Sequence, residues 1–342
     1  MRHSLAAFAC LAVVAVGTAW AQPSPGARSW ADAEIRFVVA RGLMARDVAS
    51  FRPDAALTRA ELATLVKGLA RTPATAVMPA EDHRPATISQ LDARLVSGLG
   101  LSGSAALFAA SARAAGLAVP SRFGTEVVAR LLGLRINHPI GQDDLELAPD
   151  EAATRAEAAF SAARALHLTL GDTEGIEAAA AAFALPTVTP VQKRVLDRAV
   201  KLIGHPYVWA GTSELPQTLL GKSVKGGFDC SGFVWRVYKP RGDSSSAVAN
   251  TLSGRTAAAM ASEVPTSKRI AFTRLQPADL LFFASSGGRS NAAAVDHTGI
   301  YLGGGWMIHS SRYGVALVSV ASGWYRDRFT WGRRPLGEAG LG

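Results

Sequence analysis

Residues 226–234 read Gly-Gly-Phe-Asp-Cys-Ser-Gly-Phe-Val, and apolar residues continue at helical spacing in the positions that follow. This pattern places Cys230 in the first turn of a helix, directly after a glycine-rich loop. Unpaired N–H groups and the helix dipole favour a thiolate there, so we expect the pKa of Cys230 to fall by roughly one to several units. The same N–H groups can hold the oxyanion of a tetrahedral intermediate. Because Asp229 and Ser231 are polar neighbours, unlike those of most core cysteines, Cys230 is a candidate nucleophile.

A candidate base lies in a second stretch, Val295–Leu302, whose alternation is typical of a strand. His297 falls on one face, while the adjacent Asp296 points to the other and is a poor orienting group for the imidazole. Three glycines turn the chain at 303–305, so His309 returns opposite His297 or one diagonal step away, on the same face. A cysteine, a base and a polar group that orients the base form the general triad. Spacing alone leaves open that either histidine is structural.

A zinc site is the weaker interpretation of the same side chains. The possible ligands are His205, Cys230, His297 and His309. No two of them have close ligand spacing, and no Cys-x-x-Cys motif is present. We therefore expect neither a metal nor another cofactor.

The C-terminal half begins with a helical pattern over residues 191–203 and continues with short strand-like runs. Runs separated by glycine turns predict strands over Leu280–Phe283, His297–Leu302, Trp306–His309 and Val315–Val320. One helix followed by antiparallel strands indicates an α+β domain.

Five segments occur in a fixed order in this half. They are residues 204–211 (Gly-His-Pro-Tyr-Val-Trp-Ala-Gly), 228–234, 275–283 (Leu-Gln-Pro-Ala-Asp-Leu-Leu-Phe-Phe), 296–303 and 307–309 (Met-Ile-His). The set resembles the NlpC family of papain-like endopeptidases. That resemblance implies a helix packed on an antiparallel sheet, and hydrolysis of peptidoglycan stems between γ-D-glutamate and a diamino acid such as diaminopimelate. It assigns the nucleophile to Cys230, the base to His297 and the third polar residue to His309.

The same resemblance implies substrate contacts at Tyr207, beside the oxyanion, and at Asp229 and Ser231 in the groove. Two positions depart from the family, which prefers glycine where this chain has Ala210 and Ala278. Each change adds one methyl group, so little harm is expected if those backbone angles are negative. The stretch 212–227 is also longer than expected and predicts an extra lip on the cleft.

The N-terminal half contains an internal repeat. Pro-Asp followed by Thr-Arg-Ala-Glu occurs at residues 53–54 and 58–61, and again at 149–150 and 154–157. Each Thr with the Glu three residues later predicts a capping box at the start of a helix. The unit resembles S-layer homology repeats, which dock exported proteins onto wall polysaccharide. It covers about residues 30–70 and 106–168, and the usual third repeat is not evident, so wall binding and a role as helical spacer both stay open.

The N-terminus has the features of an export signal. A positive Arg2 precedes the apolar run Leu5–Val16, and small residues at 19 and 21 predict cleavage before Gln22. The alternative, a membrane anchor, needs a longer apolar run. Removal of the signal leaves Cys230 as the single cysteine, which excludes an internal disulfide framework.

Charge is distributed unevenly. Residues 190–342 contain 19 Lys and Arg against 9 Asp and Glu, a net charge of +10, whereas residues 22–189 contain 16 against 18, a net charge of −2. A basic half suggests an anionic partner. No nucleic-acid motif accompanies the charge, so anionic wall polymers fit better than nucleic acid.

The sequence therefore predicts a signal peptide (1–21), helical repeats (28–170), a linker (171–189) and a papain-like α+β catalytic domain (190–336). The predicted function is that of a secreted, cell-wall-associated cysteine endopeptidase that acts on peptidoglycan stem peptides. Anionic wall polysaccharide is a second candidate partner, through the repeats. Two alternatives remain: an inactive wall-binding protein, and an N-acetylmuramoyl-L-alanine amidase on the same papain-like plan.

Overall fold

The computed structural model describes residues 29–69, 82–135, 142, 145–242 and 246–341, so the predicted signal peptide lies outside the described residues.

The N-terminal half is all-α. Its helices are α1 (Asp32–Val39), α2 (Arg59–Leu69), α3 (Ile88–Gly98), α4 (Ser102–Ala114), α5 (Phe123–Leu131), α6 (Arg155–His167) and α7 (Leu170–Ala182). Among the described residues no single helix is long and apolar enough to span a membrane; by length and composition alone, only the pair α3 and α4, bent by 118°, passes that test.

Three extended segments close into a ring of backbone hydrogen bonds at the centre of this half. The Leu57 N–H donates to the Ala153 carbonyl, the Ala153 N–H to the Ala86 carbonyl, and the Ala86 N–H to the Leu57 carbonyl, each at 2.8 Å. Each segment leads into a helix whose first turn is capped by a threonine side chain. The caps are Thr58 for α2, Thr87 for α3 and Thr154 for α6.

The ring contains the third repeat that the sequence patterns failed to reveal. Thr87 and Gln90 form a reciprocal capping box at the start of α3, as Thr58 and Glu61 do at α2. The arginine of the other two repeats is replaced by Ile88, which is fully buried. The third segment thus has the cap without the Thr-Arg-Ala-Glu signature, which is why the sequence pattern did not make it evident.

Four carboxyl groups and two guanidinium groups are buried together among α3, α5 and α6. Arg130 Nη2 lies 2.9 Å from Glu146 Oε1, and Arg135 Nε lies 3.7 Å from Asp92 Oδ2; Glu126 and Glu157 complete the cluster. Burial raises the pKa of Asp92 to about 8 and that of Glu157 to about 7. Burial thus favours the neutral, protonated forms of Asp92 and Glu157, which limits the cost of burying the cluster.

The two halves pack directly on each other. Arg130 donates Nη2–H to the Gly204 carbonyl at 2.6 Å and Nη1–H to the Tyr313 carbonyl. The rings of Phe108 and Phe183 lie 6.0 and 5.2 Å from the ring of Trp306. The predicted linker at 171–189 is therefore wrong for most of its length: its Ala-rich part is α7, and Phe183 after it is buried between the halves.

The C-terminal half is α+β, as predicted. Its helices are α8 (Pro190–Lys201), α9 (Cys230–Tyr238), α10 (Ala247–Asn250), α11 (Ala257–Ser262), α12 (Gly323–Arg328) and α13 (Pro335–Glu338). Its strands are β1 (Thr212–Ser213), β2 (Gln217–Leu219), β3 (Lys222–Val224), β4 (Gly227–Phe228), β5 (Leu280–Phe283), β6 (His297–Gly303), β7 (Trp306–Ser311), β8 (Gly314–Ser319) and β9 (Phe329–Arg333). The antiparallel sheet has the order β8-β7-β6-β5-β9, and α9 packs against β6 and β7.

The four predicted strands are present, each beginning within one residue of the predicted start. Strand β9 was not predicted, because glycine and arginine fill its second half; its pairing with β5 shifts register between Phe282 and Phe283. The long stretch 212–227 forms two short antiparallel ladders, β1 with β4 and β2 with β3. No residue of this stretch lines the cleft that contains Cys230, so the predicted lip on that cleft has no support from these ladders.

The two alanines at positions where the family prefers glycine both have positive φ, so the condition for little harm is not met. Ala210 has φ of 61° and Ala278 has φ of 70°. The left-handed region costs an L-residue roughly 1–2 kcal/mol, because Cβ approaches the carbonyl oxygen. Both alanines therefore store strain that glycine would not.

We expect Ala210→Gly to stabilise the protein by about 0.5–1 kcal/mol, because relief of strain exceeds the added entropy of the unfolded chain. Ala278→Gly should gain less, since Ala278 is 1% exposed and its buried methyl contributes about 0.8 kcal/mol. Urea unfolding of the two variants measures both changes. A loss of stability in Ala210→Gly would contradict the strain argument.

Candidate active site

Cys230 is the first residue of α9, where the sequence placed it. Asp229 is the N-cap, and its Oδ1 accepts the Gly232 N–H at 2.6 Å. Phe228, buried in β4, fixes the chain just before the cap. Because α9 packs on β6 and β7, its first turn faces the strands that carry the two histidines.

His297 and His309 are hydrogen-bonded to each other. His297 Nε2 lies 2.8 Å from His309 Nδ1, across the β6–β7 pair. The register pairs Ile300 with Ile308, which sets the two histidines one diagonal step apart, one of the two arrangements expected. Gly299 makes room for the contact, because a Cβ there would lie 3.0 Å from the His309 Cβ. Nε2 of His297 is thus engaged by His309, and Nδ1 is the ring nitrogen of His297 that this contact leaves open.

The resting site is uncharged at its reacting atoms. Burial raises the pKa of the Cys230 thiol to about 12, and the charge of Asp229 acts in the same direction. A hydrogen bond with the Thr298 backbone and the charge of Arg255 oppose this rise without cancelling it. Burial also lowers the pKa of His297 to about 4. The expected depressed pKa of Cys230 is therefore wrong, because desolvation raises it by more than the opposing contacts lower it.

Arg255 ties together the polar groups beside the nucleophile, although no sequence pattern marked it. Its Nη1–H donates to Ser231 Oγ at 2.9 Å, and its Nη2–H donates to Asp229 Oδ2 at 3.1 Å and to the Ala210 carbonyl at 2.8 Å. Ser231 Oγ–H in turn donates to Asp229 Oδ1 at 3.0 Å. Two of the predicted substrate-binding residues, Asp229 and Ser231, thus share one fixed network beside Cys230.

Tyr325, on α12, is a second residue that sequence reasoning missed. Its ring lies edge-on to His309 at 5.1 Å and 6.0 Å from the ring of His297. The Tyr325 hydroxyl lies 3.4 Å from His309 Nδ1, at the limit of a hydrogen bond. The residue covers the imidazole pair from the far side, which accounts for the burial of His309 (1% exposed). Its short helix lacks any periodic signal, so the sequence could not place it.

All but one of the predicted site residues line a single cleft of about 730 Å³; the exception, His309, lies behind His297. Tyr207 is held on one wall by a bridge between its backbone and that of Phe228. Asp296 lines the rim but does not orient His297, as the strand alternation predicted. Further lining residues are Trp209, Ala210, Arg255, Thr256, Ala257, Ala258, Val295, Ser310, Ser311 and Arg312. Within the described ranges, no group of three or more His, Cys, Asp or Glu side chains is arranged to hold a metal.

Comparison with known proteins assigns the family of this half. The sequence model of the NlpC/P60 family matches residues 204–334, and that of the S-layer homology domain matches residues 25–63. Residues 204–334 form an NlpC/P60 domain. The resemblance of the C-terminal half to the NlpC family and that of the first repeat to the S-layer homology domain are thereby confirmed.

Individual relatives are similar to this chain over the NlpC/P60 domain. The bifunctional muramidase/DL-endopeptidase CwlT of Bacillus subtilis is 32% identical over 39% of this chain and 33% of its own length. The γ-D-glutamyl-L-lysine dipeptidyl-peptidase of Bacillus cereus is 31% identical over 43% of this chain and 38% of its own length. The crystal structure of an NlpC/P60 family protein from Bacillus cereus matches at 29% identity over 44% of this chain and 41% of that chain, with a TM-score of 0.33. The matched region thus spans little more than a third of these two sequence relatives.

Proposed function

We propose that the protein is a secreted cysteine endopeptidase that cleaves the γ-D-glutamyl–diamino acid bond of peptidoglycan stems. The observation that carries this proposal is the cleft itself. It brings Cys230, at a helix N-terminus, to the same cavity as His297, whose far nitrogen is held by His309. NlpC/P60 relatives named as γ-D-glutamyl peptidases and endopeptidases support the substrate class.

The chemistry follows from the uncharged resting site. Cys230 Sγ attacks the scissile carbonyl carbon while its proton passes to His297 Nδ1, so an S–C bond forms as the imidazole becomes cationic. The N–H groups of the first turn of α9 stabilise the oxyanion, with Tyr207 beside them. His297 then returns the proton to the leaving amine, and the C–N bond breaks. Water then attacks the acyl carbon while His297 takes its proton; the new C–O bond replaces the C–S bond, and the proton returns from His297 to Cys230 Sγ as the acid leaves.

The polar network supplies recognition of the stem. Arg255 places a guanidinium in the wall of the cleft, next to the carboxylate of Asp229 and the hydroxyl of Ser231. A stem segment around γ-D-glutamate presents a free carboxylate and backbone amides, which match a cation and fixed acceptors. The exposed ring of Trp209, 51% accessible, gives the same wall an apolar face for the peptide chain.

The N-terminal half supports attachment to the wall. Its three capped segments form a closed ring, and an S-layer homology domain match begins this region. We infer that this half docks the enzyme on wall polysaccharide while the cleft acts on the peptides. Cell-wall association after export is the location that fits both activities.

Mass spectrometry of purified peptidoglycan after incubation with the protein tests this function. We expect fragments whose new ends are γ-D-glutamate and a free diamino acid. A digest with the Cys230→Ala protein is the control, and these fragments should be absent from it. New N-terminal L-alanine together with peptide-free muramic acid would instead indicate the amidase. If the protein sediments with walls and releases no fragments from them, it is a binding protein.

A further inference from the structure

A second cavity lies where the two halves meet and shares no lining residue with the catalytic cleft. Its volume is about 420 Å³, within the range of small-molecule sites. The helical half contributes Ser89, Arg122 and Asp150, and the catalytic half contributes Arg198, Lys201 and Arg236. We call this space the junction cavity.

The junction cavity has an excess of positive charge. Four basic side chains line it (Arg122, Arg198, Lys201 and Arg236) against two carboxylates, Asp150 and Glu214, which leaves a net charge of +2. Glu214 is already bound at both oxygens by Arg236, at 2.6 and 2.8 Å, which lowers the pKa of that carboxyl to about 2. Glu214 is therefore ionised and paired at any physiological pH.

Two of the cations are not neutralised by a neighbour. Arg122 Nη2–H donates to the carbonyls of Lys201 and Ile203, at 2.8 and 3.2 Å, so its guanidinium is held in place by uncharged groups. Over the described part of the chain, neither Arg122 nor Lys201 forms an ion pair with a carboxylate. The guanidinium of Arg122, held in a partly enclosed space, acts more strongly than the same charge in open solvent.

An uncharged hydrogen-bonding group completes the lining. His205 places Nδ1 2.9 Å from the Leu202 carbonyl, which fixes the proton on Nδ1 and leaves Nε2 as an acceptor. Burial, together with the charge of Arg122, lowers the pKa of His205 to about 4. A ligand with an anionic group beside Arg122 and Lys201 would balance their charges. A hydroxyl or amide of the same ligand could donate a hydrogen bond to Nε2 of His205.

We propose that the junction cavity binds a small polar ligand that carries a carboxylate or phosphate group, of the size of one sugar residue. Acidic and phosphorylated sugars share this chemistry. Such a ligand contacts both halves at once, so its binding stabilises their packing by mass action. The junction cavity shares no lining residue with the catalytic cleft, so its ligand would not compete with the peptide substrate.

Isothermal titration calorimetry with three sugars tests the proposal on the full chain. N-acetylmuramic acid supplies a carboxylate, N-acetylglucosamine 6-phosphate supplies a phosphate, and N-acetylglucosamine is the neutral control. We expect at least one anionic sugar to bind with a Kd below about 1 mM, and at least tenfold more tightly than the neutral sugar. Which of the two acidic sugars binds more tightly identifies the anion preferred.

Variants locate the site. Lys201→Gln and Lys201→Glu change an exposed side chain at the end of α8 and are expected to weaken anion binding at least tenfold. Arg312→Gln removes a cation from the rim of the catalytic cleft and should leave binding unchanged. The proposal is overturned if neither anion binds, if the neutral sugar binds equally well, or if Arg312→Gln abolishes binding while the Lys201 variants do not.

Discussion

Cys230→Ala is expected to lower kcat/KM for a soluble stem peptide by at least about 10³-fold, with the fold retained. The reaction requires a nucleophile at the N-terminus of α9, and Cys230 is the single cysteine among the described residues. Cys230→Ser should be nearly as inactive, because an alcohol is harder to deprotonate than a thiol and the pKa of His297 is only about 4.

The measurement is steady-state hydrolysis of a stem peptide, with circular dichroism and thermal melts on the same samples. Ser262→Ala is a matched control, since it removes a polar atom from an exposed position on α11 and should retain the wild-type rate. A Cys230→Ala protein that keeps a tenth of wild-type turnover would place the nucleophile elsewhere. A variant that melts well below the wild type would show instead that the thiol has a structural role.

Much of the site was predictable because its signals are local in sequence. The glycine-rich loop before Cys230 and the helical spacing after it predict a helix start, and the structure has α9 begin at that residue. The position of His309 relative to His297 followed from strand alternation and a three-glycine turn. Local periodicity also predicted four of the five strands of the sheet.

The remainder depended on tertiary contacts that leave no local trace. Arg255 and Tyr325 reach the site from a loop and a short helix with no periodic pattern. The pKa of Cys230 was misjudged because the helix terminus is visible in the sequence, whereas the burial that opposes it is a property of the folded protein. The third repeat was hidden for a related reason, since capping at Thr87 survived with Gln90 in place of the usual glutamate.

His309→Ala is expected to lower kcat by about 10²–10⁴-fold while KM changes little. His309 is 1% exposed and lies behind His297, so it does not touch the peptide. In the proposed mechanism it holds Nε2 of His297, at 2.8 Å, so that Nδ1 is left for the thiol proton and the imidazolium formed during attack keeps an acceptor. Without that acceptor the His297 ring can rotate, and the cation that forms in a buried site loses its partner.

His309→Asn restores an acceptor oxygen at this position and should recover at least tenfold of the activity lost in His309→Ala. Tyr325→Phe keeps the ring that covers the pair and removes a hydroxyl 3.4 Å from His309 Nδ1, so its rate should remain within a few-fold of wild type. Measuring kcat and KM separately for the three variants distinguishes orientation of the base from loss of folding. If Asn is no better than Ala, or if Ala costs less than fivefold, His309 does not orient His297.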